Sequence, residues 1–119
     1  MALNARLSNV VLDCPDPRAL AGFYSEVTGW PVVESEDDWA SLRDGDSFEL
    51  AFQRAPDHQA PRWPDPGSSM QYHLDFHIED IESAEKQVLA LGATRFEHQP
   101  GQTFRVFADP AGHPFCLCW

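Results

Sequence analysis

"NVVLDCPD" (residues 9–16) and "HLDFHIED" (residues 73–80) decide how this chain folds, because they are one pattern written twice. Each begins as a strand in which side chains alternate between two faces, and each then reaches an aspartate that opens a helix. Asp16 is a good N-cap, and Pro17 suits a first turn, where its missing N–H costs nothing. Leu20, Phe23, Tyr24 and Val27 follow at spacings of three and four and make one apolar stripe. Gly29 stops that helix. In the second copy Asp80 caps, Ile81, Ala84, Val88 and Leu91 form the stripe, and Gly92 ends it.

Shorter extended segments follow each helix. After the first come Pro31 to Ser35, Trp39 to Arg43 and Ser47 to Gln53, with Asp44-Gly45 as a hairpin signal. After the second come Thr94 to His98, Phe104 to Ala108 and Pro114 to Trp119. The reading is therefore an α+β fold of two βαβββ units. Its strands are expected to form a curved, mostly antiparallel sheet around a cavity. One domain should span residues 1–119, with unit one at about 6–53, a connecting loop at about 54–70 and unit two at about 71–119. The loop is rich in proline and aspartate.

Bulk properties narrow the function. Nineteen acidic residues against eight basic ones give a net charge of −11, which repels phosphate backbones and anionic lipid. Nucleic acid and membrane surfaces are therefore excluded as partners, whereas a cationic ligand is compatible. No stretch approaches the roughly 20 apolar residues of a membrane span. The start, Met1 to Arg6, has no apolar signal core, and three cysteines fit free thiols in a reducing cytoplasm. No glycine-rich phosphate loop and no Ser-His-Asp signature is present.

Splitting each strand into its two faces locates the chemistry. Val10 and Leu12, Leu74, Phe76 and Ile78, Phe48, Leu50 and Phe52, and Phe115, Leu117 and Trp119 make apolar rows suited to lie under helices. The opposite faces carry Asn9, Val11 and Asp13; Glu49, Ala51 and Gln53; His73, Asp75 and His77; and Cys116 and Cys118. Polar residues on all four strands suggest a shared, partly wet cavity. His73, Asp75 and His77 put three potential metal ligands on one strand face, although such neighbours need a further ligand from elsewhere to hold an ion.

The doubled unit, ending in "DPAGHPFCL" (residues 109–117), resembles the vicinal oxygen chelate superfamily, which includes glyoxalase I, extradiol dioxygenases and bleomycin-resistance proteins. The segments "VVLDCPDPRALAGFYSEVTGWPV" and "HLDFHIEDIESAEKQVLALGA" are similar to small actinobacterial glyoxalase-like proteins. In metal-using members the ligands come from the first and last strands of each unit. The resemblance carries those positions onto Asn9, Glu49, His73 and Cys116, with Cys116 standing where a glutamate is usual.

His73 and Glu49 are thus the metal-ligand candidates, and Glu49 doubles as a catalytic base. A plainer reading pairs Glu49 with Arg105 or Arg54. Asn9 is a weak neutral donor, and a Cys116 thiolate would favour zinc. Asp75, Trp39, Trp63 and Phe104 are further ligand-contacting candidates, Trp63 as a wall or lid, while His77 reads as structural. The cofactor implied is a divalent ion, whether zinc, manganese, iron or nickel. The resemblance also implies a homodimer.

Two functions follow. One is a binder with a degenerate metal site, sequestering an aromatic or cationic compound. The other is a metal-dependent lyase, isomerase or dioxygenase acting on a small oxygenated substrate.

Overall fold

The computed structural model describes residues 3–46 and 48–119. Met1 and Ala2 of the N-terminal reading, and Ser47 as the start of a strand, lie outside the described residues.

The chain divides into two compact units, one ending at His58 and the other beginning at Gln59. In the first, β1 (Asn9–Cys14) leads into α1 (Pro17–Thr28) and then β2 (Val32–Ser35), β3 (Trp39–Asp44) and β4 (Phe48–Arg54). In the second, β5 (Leu74–His77) leads into α2 (Ile81–Ala90), β6 (Thr94–Arg95), β7 (Phe104–Ala108) and β8 (Pro114–Cys118). Each unit forms its own four-stranded sheet, ordered β1-β4-β3-β2 and β5-β8-β7-β6. The first strand pairs in parallel with the last, and the remaining pairs are antiparallel. Of the described residues, no helix is long and apolar enough to cross a membrane.

Local chemistry explains the repeated unit. Asp16 accepts from the Ala19 N–H (3.2 Å), and Asp80 accepts from the Glu82 and Ser83 N–H groups (3.1 and 3.3 Å). Gly29 closes α1 at φ 76°, a conformation that would strain a side chain. Gly45, at φ 64°, forms the tight turn that folds β4 back on β3.

The helix-facing rows are apolar as expected. Leu20, Phe23 and Tyr24 of α1 are buried, as are Leu42, Leu50 and Phe52 of the sheet beneath, and the Tyr24 and Phe52 rings stack at 5.7 Å. In the second unit Phe107 and Phe115 stack at 5.7 Å beside buried Leu117.

Two expectations need correction. The segment Thr94 to His98 is a strand only at Thr94–Arg95. Beyond it, the Gln99 side chain replaces a strand partner for Val106. Its amide donates to Val106 O (2.9 Å) and Phe96 O (2.8 Å), and its carbonyl accepts from Val106 N–H (2.9 Å). Trp119 does not extend the buried row, because β8 ends at Cys118; Trp119 is 38% exposed, with the Arg105 guanidinium 5.7 Å from its ring.

Candidate functional site

On the first unit's sheet, register sets the polar face. Asn9 lies opposite Glu49 in the parallel β1–β4 pair, and Arg43 lies opposite Glu49 across β3–β4. Arg43 Nη2 is 3.5 Å from Glu49 Oε1, a buried oxygen with no hydrogen-bond partner among the described residues. Glu49 therefore pairs with Arg43 and not with Arg105 or Arg54. The reason is facing: Arg105 is the register partner of Leu117, on the helix side, where it reaches Glu82 (2.8 Å) and Glu85 (3.2 Å) of α2.

Glu34 completes this face and was not anticipated. Its Oε1 accepts from Ser41 Oγ (2.7 Å) and Trp39 Nε1 (3.1 Å). Those two bonds, helped less by Glu49 and by the charge of Arg43, hold its carboxyl below the usual range against the opposing effect of burial. Trp39 is thus fixed by its indole N–H. The signal for Glu34 was available: counting back across the β2–β3 pair puts it opposite Ser41, on the Glu49 face. A bulge between Val32 and Glu34 shifts the register and hides that parity in the sequence. A cavity of about 200 Å³ opens at the Glu49 end, walled by Arg6, Ser8, Arg43, Asp46 and Phe48.

On the second unit's sheet the composition differs. His73 sits just before β5, and Asp75 pairs in register with Cys116 of β8. His73 Nε2 is 3.2 Å from Asp75 Oδ1. The donor atoms of His73, Asp75 and Cys116 all lie within 4.8 Å of one another. Cys116 thus brings a third potential ligand atom from another strand to His73 and Asp75, while His77 lies farther along, opposite Cys118.

Register also distinguishes the two halves. Val10 pairs with Leu50 as Leu74 pairs with Phe115, so Glu49 corresponds to Pro114 and Cys116 corresponds to Ala51. The carboxylate position of the first unit has no carboxylate counterpart in the second.

Cys116 is 4% exposed, and burial, then a hydrogen bond and the charge of Asp75, push its thiol up to about 12. Cys118 is raised in the same direction, first by burial and then by Asp75. A thiol so held is protonated at neutral pH, and an ion that bound it would have to displace that proton. Imidazole, carboxylate and a reluctant thiol fit a soft divalent ion only loosely. Among the described residues no disulfide links Cys14, Cys116 and Cys118.

The remaining candidates lie in the second unit. Phe104 is opposite Cys118 on β7, and a side chain at Gly101 would run into its ring. Trp63 packs against Phe96 (5.0 Å) and His98 (5.3 Å). Its neighbours in the chain, and not Trp63 itself, wall a larger cavity of about 590 Å³.

Several solved structures share this fold. One described as a possible glyoxalase from Bacillus cereus is 16% identical, with a TM-score of 0.71 over 99% of this chain and 100% of that one. A glyoxalase/bleomycin resistance protein/dioxygenase family enzyme from Burkholderia phytofirmans PsJN is 20% identical, with a TM-score of 0.73 over 95% and 97%. A glyoxalase family protein from Enterococcus faecalis is 24% identical, with a TM-score of 0.67 over 99% and 100%. No curated protein matches the sequence. The family profile described as a glyoxalase-like domain matches residues 9–118. With that match across nearly its whole length, the chain belongs to the glyoxalase-like domain family, within the vicinal oxygen chelate superfamily.

Proposed function

We propose that this protein binds a small molecule at a metal site that has degenerated. The observation that carries this reading is Cys116. By the resemblance it stands where metal-using members of the superfamily carry a glutamate; in the structure it is buried, and its thiol is pushed up to about 12. Asn9 offers a neutral oxygen where a stronger ligand is usual, and Glu49 is already neutralised by Arg43. The ligand is aromatic or cationic: the chain carries a net charge of −11, and Trp39 presents an indole fixed by the Glu34 carboxylate. The working form is a cytoplasmic homodimer, and light scattering checks the dimer directly.

The test is a binding screen of aromatic cations against the purified protein, with and without chelator. Binding that survives the chelator and weakens as salt rises supports the reading. Ligand binding that vanishes with the chelator overturns it.

A second reading rests on the grouping of His73, Asp75 and Cys116 within 4.8 Å. These residues would hold a divalent ion, which supplies Lewis acidity toward a substrate carbonyl or enediolate oxygen in a lyase, isomerase or dioxygenase. His73 would be indispensable, since imidazole is the strongest neutral donor in the set.

A further inference from the structure

The cavity of about 590 Å³ lies wholly in the second unit, between the segment from Gln59 to Tyr72 and the turn that ends at Pro114. Its size falls within the ~300–1,000 Å³ of small-molecule sites. None of His73, Asp75 and Cys116 lines it.

The walls are built. Asp65 N–H donates to Arg62 O (2.8 Å), Ser68 N–H donates to Asp65 O (2.9 Å), and Arg62 N–H donates to Ser68 Oγ (2.9 Å). Trp63 anchors the same segment through Phe96. On the other side Gly112, at φ 94°, comes so close to Ala60 that a side chain there would collide with it. The fully buried Asp109 carboxylate holds the adjoining His113 ring through Nδ1 at 2.8 Å and caps the turn by accepting from the Ala111 and His113 N–H groups.

The lining is electrostatically unlike the rest of the molecule. Nineteen residues of the chain are acidic, yet among the described residues no carboxylate lines this cavity. Its basic members are Arg62 and His113, joined by the hydroxyls of Ser68, Ser69 and Tyr72. Met70 and two prolines supply apolar surface. Among the described residues Arg62 has one competing anion, Asp65, at a loose 3.8 Å from Nε. A planar guanidinium beside hydroxyl donors matches a carboxylate. The net charge of −11 disfavours a dianion more than a monoanion, so a phosphate ester is the poorer fit.

We infer that this cavity binds a small organic monocarboxylate, with Arg62 gripping the carboxylate and Met70 and the prolines contacting its apolar body. The inference is independent of the sheet-face reading, because the two use different residues.

Benzoate is a suitable probe, titrated into isotope-labelled full-length protein while amide resonances are followed. Shifts should cluster in residues 59–72 and at His113. Arg62→Gln, a change at an exposed side chain, should weaken binding by about tenfold, the loss of one charged hydrogen bond. Asp65→Asn keeps an oxygen for the Gly67 N–H that Asp65 now binds at 2.9 Å, but removes the competing charge, so it should tighten binding. Inorganic phosphate should bind more weakly than benzoate. Shifts confined to other residues, an unaltered affinity in Arg62→Gln, or phosphate binding as tightly as benzoate would each overturn the assignment.

Discussion

In the first unit α1 buries Leu20, Phe23 and Tyr24 against its sheet, whereas Val88 is the one buried residue among those described in α2. Aligning the two capping aspartates explains the difference. Leu20 and Tyr24 of the first helix correspond to Ala84 and Val88 of the second, and Val27 corresponds to Leu91, which is 37% exposed. The same strand–helix–strand plan is thus executed with large side chains in one unit and small ones in the other. The polar faces diverge as well. The first balances Glu34 and Glu49 against Arg43, Ser41 and Trp39, while the second gathers imidazole, carboxylate and thiol. A repeated scaffold fixes where side chains point, and the residue placed at each position decides what they can do.

The contrast in packing predicts the largest effects. Leu20→Ala should destabilise by about 2–5 kcal/mol, the cost of removing a buried leucine. Leu91→Ala should change stability by no more than about 0.5 kcal/mol, because its side chain already meets solvent. Urea unfolding of both variants measures the difference, and equal losses would break the comparison.

Next comes the place where the second unit substitutes a side chain for a strand. Gln99→Ala strips three hydrogen bonds from the Phe96 and Val106 backbone, and Val106 is 1% exposed. A loss of about 1–3 kcal/mol is expected. Hydrogen exchange at the Val106 amide should accelerate, while amides of β2 stay unchanged.

A smaller effect belongs to Glu34. Its carboxyl is lowered from 4.5 in the folded chain, so its contribution to stability is full above that value. The contribution is lost as pH falls below about 4.5 and through the lower folded value. Glu34→Gln should flatten this acid limb of a stability-against-pH curve by lowering stability at neutral pH, with the two curves converging in acid where Glu34 is protonated. Because Glu34 is exposed, added salt should shrink the difference.

The sequence carried the fold because the signals were redundant. Capping aspartates, apolar stripes and glycine stops all agreed, so both helices and the succession of elements along the chain followed from them, while the order of strands within each sheet did not. The sites were legible only in part. Face parity joined Asp75 with Cys116 and Asn9 with Glu49, since alternation along a strand is a rule of the backbone. It missed Glu34 because a bulge breaks that alternation, and it paired Glu49 with the wrong arginine because cross-strand register cannot be counted without knowing the turn. The cavity between the connecting segment and the Asp109–Pro114 turn was invisible for a related reason. Loop walls arise from hydrogen bonds such as Arg62 to Ser68, which no periodicity announces.

The central claim is that the second unit's cluster no longer makes a working metal centre, and elemental analysis of the purified protein tests it most directly. After incubation with zinc or manganese and dialysis, the account predicts well under one ion per chain and a melting temperature indifferent to chelator. One ion per chain that withstands dialysis, raises the melting temperature and disappears in His73→Ala would contradict it.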